Sequence, residues 1–177
     1  MTKIASVAIT LIMFGTASLF AQDKVTPERK RAIDSLAIEK VKDLSKYISI
    51  IGDKSTTFSE SSRVVKRAEE LFAPNSKMGV STLANPDITY FTIPKYFQRL
   101  MALNYIKVKI SWYSIHYISD LELQPDGKYV GVVTIYQRFE GFGAEGMTYS
   151  DVTKKDVTIY VERKKTQING KPIDFWD

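Results

Sequence analysis

A chain of 177 residues with 25 Lys+Arg against 20 Asp+Glu, 44% hydrophobic and 12% aromatic, has the make-up of one folded domain. That composition excludes a collagen-like repeat, a low-complexity linker and a disordered tail. With no Cys there is no disulfide framework, thiolate metal site, cysteine catalysis or lipid-bearing cysteine, and a single His excludes a multi-histidine metal centre, so neither metal nor cofactor is expected.

The first 21 residues carry one charge, Lys3, ahead of an apolar run from Ile4 to Ala21 that closes on small residues. These are the parts of a secretory signal peptide. A cut after Ala21 frees Gln22, and a cut after Ser18 is the alternative. The domain expected to fold is residues 22–177, periplasmic or secreted, with no membrane association after cleavage. The basic patch Lys154-Lys155, Arg163-Lys164-Lys165 and Lys171 suits an anionic surface, or a strand edge that lysine protects from pairing. Export makes nucleic acid an improbable partner, and none is expected.

Thr26, Pro27 and Glu28 are a cap, a first-position proline and a dipole-favoured acid, so they open a helix. Ile33, Leu36, Ala37, Val41, Leu44, Ile48 and Ile51 then keep one helical stripe up to a stop at Gly52. Thr57-Phe58-Ser59-Glu60 is a capping box that opens a second helix, Ser59–Phe72, before Pro74. Met78–Leu83 reads as a short strand, Asn85-Pro86 as a turn, and Thr92-Ile93-Pro94 as the start of a short helix reaching Ala102.

From Tyr105 the pattern alternates. Ile106–Leu123 is long enough to require a bulge or bend. Pro125-Asp126-Gly127 marks a hairpin into Tyr129–Phe139, Glu140–Thr148 reads as a glycine-rich loop, and Val152–Lys164 as a third strand. Asn169-Gly170 then leads to a short last strand at Pro172–Asp177. Helices first and antiparallel strands after them define an α+β fold, with helices packed on an antiparallel sheet.

Gly141-Phe-Gly143-Ala-Glu-Gly146 matches the dinucleotide pattern, but a strand follows it where a phosphate-holding helix would be needed, so the glycines are read as loop residues. Taken as a two-residue turn, Asp126-Gly127 puts His116 opposite Gln137, Ile118 opposite Ile135, Ser114 opposite Phe139 and Tyr117 opposite Tyr136. Trp112, four residues before His116, then shares its face. A bulge would flip part of this register. Trp112, His116, Gln137, Tyr117 and Tyr136 are the candidate ligand-binding residues, with His116 a weak catalytic candidate. The plainer reading is a histidine hydrogen-bonded to Gln137 in a half-buried sheet. Asp120, Glu122, Glu69 and Glu70 read as solvated acids, because none has the apolar surroundings that tune a general acid.

Both faces of the first hairpin carry large apolar side chains, so one should pack on the first helix and the other requires a partner. The element order resembles the NTF2-like, cystatin-related α+β cone folds, in which a curved sheet wraps around the first helix. The Ala21-Gln22-Asp23 junction is similar to that of small exported Bacteroidetes-type proteins. The cone resemblance implies a cavity between helix and sheet, and often a homodimer through the outer sheet face. It spans enzymes and non-catalytic binding domains alike. The expectation is an exported, non-enzymatic domain that binds a small hydrophobic ligand or a protein partner. The alternatives are an isomerase- or dehydratase-type enzyme using His116 and a structural part of a periplasmic assembly.

Overall fold

A computed structural model of the chain describes residues 26–82, 86–117, 119–168 and 171–176, without the side chains of 117, 163, 165, 166, 168 and 172–176. The signal segment 1–21, the turn residue Asn85, Ile118 and the Asn169-Gly170 turn lie outside the described residues.

Helix α1 runs Pro27–Gly52, and the Thr26 hydroxyl accepts the Arg29 N–H at 3.3 Å. Its buried residues, Ile33, Ala37, Val41, Leu44, Ile48 and Ile51, are the stripe read from the sequence. At 1.5 Å per residue the helix is about 39 Å long. Gly52 is its last residue and is buried; a Cβ there would sit 3.0 Å from Ile110 Cδ1. That glycine therefore allows close helix–sheet approach as well as ending the helix. Helix α2, Phe58–Glu69, is capped by Thr57 accepting the Glu60 N–H. It is shorter than the Ser59–Phe72 reading at its far end. Leu71 and Phe72 instead donate to Ala68 and Glu69 in a tightened final turn, and Phe72 packs edge-on to Phe97.

A small hairpin follows: β1, Lys77–Val80, pairs antiparallel with β2, Thr89–Thr92. Strand β1 is thus shorter than the Met78–Leu83 expectation, and β2 has no counterpart in it, being only four residues long and mostly exposed. Helix α3, Ile93–Met101, buries Ile93, Tyr96, Phe97 and Leu100.

The main sheet is built on β5, Tyr129–Gly143. Strand β6, Gly146–Val161, pairs along one side of it; β3, Lys107–Tyr117, and the short β4, Glu122–Leu123, share the other. Two expectations are corrected here. The Glu140–Thr148 loop is largely strand, because Gly143 pairs with Gly146 across Ala144-Glu145. Gly146 has φ +116°, a conformation that favours glycine, and this is the use made of the apparent dinucleotide pattern. The final strand also begins one residue earlier, at Lys171, than the Pro172–Asp177 expectation. Strand β8, Lys171–Trp176, pairs over six residues with β7, Arg163–Ile168, in a separate two-stranded sheet.

Helix α1 crosses one face of the main sheet. Its C-terminal half meets Val108 and Ile110 of β3, Val41 meets Val133 and Ile135 of β5, and Ile33 meets Tyr129 and Val161. Phe97, Ile48, Ile135 and Val133 are the largest fully buried side chains. Each contributes about 1.5–3 kcal/mol of apolar burial. The architecture is α+β, helices on an antiparallel sheet. Among the described residues no helix is long and apolar enough to cross a membrane.

Candidate functional site

The arrangement of the candidate residues follows from one irregularity. Strand β3 pairs Trp112 with Gln137 and Tyr113 with Tyr136, then shifts register so that His116 pairs with Thr134 and Tyr117 with Val133. Ser114, at φ 50°, is the bulged residue. An extra residue on one strand reverses the facing of everything beyond it. Trp112 therefore points to the α1 side while His116 lies exposed on the outer face. This corrects the shared face expected for Trp112 and His116, and the pairings of His116 with Gln137 and of Tyr117 with Tyr136.

The turn contributes as well. Gly127 donates to the Gln124 carbonyl at 2.9 Å, Gln124 donates to that of Lys128 at 2.8 Å, and Gly127 has φ +83°. This is a three-residue hairpin loop with a left-handed glycine, one residue longer than the Asp126-Gly127 turn expected from the sequence. It joins β4 to β5, leaving β3 to pair farther along.

The inner face is packed and internally bonded. The Trp112 indole N–H donates to Gln137 Oε1 at 2.9 Å, so two of the expected ligand-binding groups satisfy each other. Further along, Tyr105 stacks edge-on with Phe139, and Phe139 with Tyr149. The Tyr105 ring lies on Gly141, where a Cβ would meet it at 2.5 Å. Lys155, opposite Ile135, reaches inward to the β1–β2 hairpin and donates from Nζ to the Gly79 carbonyl at 3.3 Å. Burial holds its ammonium below the usual lysine range, and the Asp151 carboxylate opposes that shift. Burial likewise pushes the Tyr96 phenol up. Lys155 is thus set apart from the solvated basic patch in which the sequence groups it. Its alternation with Val157 and Ile159 on an inward face is the signal that could have separated it from Lys154.

The outer face is open. Tyr113 and Tyr136 stack at 5.9 Å between centroids with 27° between planes, and are 39% and 36% exposed. Val152, Met147 and Tyr160 of β6 are also exposed. Cations lie over the aromatic rings: Arg138 over Tyr113 at 5.8 Å, and Lys107 and Lys109 over Phe142 at 5.8 and 5.6 Å. Asp156 accepts from the buried Thr134 hydroxyl at 2.7 Å. Tyr136 thus pairs with Tyr113 in the place given to Tyr117. Lys107, Lys109, Arg138 and Phe142 were not singled out from the sequence.

One surface concavity lies toward the hairpin end of this face, beside Gln124, Asp126, Val130 and Tyr160, and another beside Asp53, Lys54, Phe58 and Met101. Neither is lined by Trp112, His116 or Gln137. Asp120 is exposed and pairs with Lys30 at 3.0 Å. Among the described residues no three His, Asp or Glu side chains converge as metal ligands.

No protein-family model matches the chain, and no curated protein matches it. Among solved structures it is similar to Aln2 from a Streptomyces species, at 12% sequence identity and a TM-score of 0.34, covering 84% of this chain and 87% of that one. A likeness of that order carries no argument about activity.

Proposed function

We propose that the chain is an exported, non-enzymatic domain of the NTF2-like kind whose outer sheet face binds a protein partner. The observation that carries this reading is the contrast across β5. One face is filled by α1, while the other leaves Tyr113, Tyr136, Val152 and Tyr160 exposed on three adjacent strands. Tyrosines with an apolar body and a polar tip are enriched in protein interfaces. A small ligand is less favoured, because Trp112 and Gln137 already bond each other on the inner face. Catalysis through His116 requires a pocket shared with Trp112, and the bulge separates the two.

The test is a photo-cross-linking side chain placed at Tyr136 or, as control, at Lys42 on the exposed side of α1, in cells that make the chain natively. The reading predicts a discrete protein adduct from position 136 and none from 42. Equal adducts from both, or none from 136, would overturn it.

A further inference from the structure

The lower half of the outer face is ordered in rows across three strands. Lys107, Phe142 and Met147 form one row; Lys109, Glu140 and Ser150 the next; then Ser111, Arg138 and Val152; then Tyr113, Tyr136 and Lys154. Rows stand about 7 Å apart and strands about 4.8 Å apart, so the patch runs roughly 20 Å by 10 Å. An extended segment of about six residues would cover its length.

The charge on this patch is lopsided. Lys154 comes within 4.0 Å of Asp156, and Asp156 is also engaged by Thr134. Lys107, Lys109 and Arg138 make no close ion pair among the described residues and lie over the Phe142 and Tyr113 rings. Lys107 is nevertheless near enough to Asp53 to help the Ser55 hydrogen bonds hold that carboxyl low. Glu140 is the one acid in these rows. Cations held over aromatic faces keep their charge and stay available to an anion arriving from solvent. A second copy of this chain is a poor occupant. It would set Lys107, Lys109 and Arg138 against themselves, in a chain already carrying 25 basic residues to 20 acidic ones.

We propose that Lys107, Lys109, Tyr113, Tyr136, Arg138 and Phe142 form a docking surface for an acidic, extended polypeptide segment with apolar residues among its carboxylates. The carboxylates meet the three cations, and the apolar residues lie on the tyrosine pair and Val152. This deepens the protein-binding reading and rests on it.

The experiment uses the whole chain and a fluorescein-labelled peptide alternating Glu with Phe or Val, read by fluorescence anisotropy. A Gln-for-Glu version of the peptide and an oligogalacturonate of similar charge are the comparison probes. The expected result is peptide binding that weakens about 10-fold or more in Lys109→Glu/Arg138→Glu. Lys40→Glu/Lys42→Glu, the same change in net charge on the exposed side of α1, should leave it near the native value. The Gln peptide should bind weakly and the oligogalacturonate less tightly than the Glu peptide. Equal loss in both double variants would reduce the effect to long-range attraction and overturn the proposal, as would absence of peptide binding or tighter binding of the oligogalacturonate. Circular dichroism confirms that each variant is folded, and Lys107→Glu supplies a second reversal if one pair fails to fold. If these fail while cross-links from position 136 persist, the acidic segment is wrong and the protein-binding reading stands. If the cross-links fail as well, both are wrong.

Discussion

Ile135 and Tyr136 are neighbours in β5, yet they belong to different surfaces. Ile135 is completely buried between Val41 of α1 and the inner side chains of β3 and β6, whereas Tyr136 is more than one-third exposed against Tyr113. Both faces are rich in large side chains, so hydrophobicity alone does not distinguish them. What does is the companion chemistry. The inner Trp112 and Lys155 bond internally, to Gln137 and to Gly79, while the outer cations rest on rings and face water. A face closed on itself serves stability; one that leaves charge and aromatic surface unspent is available for recognition.

The widest separation between the faces should appear in unfolding free energy. Ile135→Ala should cost about 2–5 kcal/mol in urea denaturation, since it empties a fully buried site between helix and sheet. A cost within about 0.5 kcal/mol would mean that α1 does not cover β5. Next, Gln137→Leu should cost about 1–3 kcal/mol, because it strands the half-buried Trp112 N–H. The emission of Trp112 should move with it.

Lys155 sharpens the comparison through pH. Its folded-state pKa lies below the unfolded 10.5, so the unfolded chain binds this proton more readily. Stability from this group therefore rises with pH across the window from the lowered value up to 10.5, and below that window the buried charge is a net cost. Lys155→Met should accordingly stabilise the chain more at about pH 7 than at about pH 10, a difference measured against the native chain at each pH. A gain that grows with pH would contradict an inward-facing lysine. The smallest effect belongs to the outer face: Tyr136→Ala should cost only about 0.5–1.5 kcal/mol, the loss of its stack with Tyr113, while weakening peptide docking.

Much of the fold was legible because its signals are local. The Thr26 and Thr57 caps, the α1 stripe and the change of period after Tyr105 each depend on residues within one element. The site was less legible because its register depends on three offsets: one residue in the hairpin loop, two between Tyr117 and Glu122, where the β5 partner moves only from Val133 to Val130, and one at the β3 bulge. The loop after Leu123 takes three residues where two were expected, and β3 bulges at Ser114, which nothing in Tyr113-Ser114-Ile115-His116 marks as left-handed. With apolar side chains on both faces, alternation could not report which face was buried. Trp112 and Gln137 share a face, and the bulge removes His116 from it.

The central claim, that recognition belongs to the outer face, is tested most directly by titrating the labelled chain with the acidic peptide and following two sets of NMR signals. The account predicts that the ring resonances of Tyr113 and Tyr136 move in proportion to peptide bound, while the Trp112 indole N–H, held by Gln137, stays in place. Movement of the Trp112 signal with the tyrosine rings unchanged would contradict it.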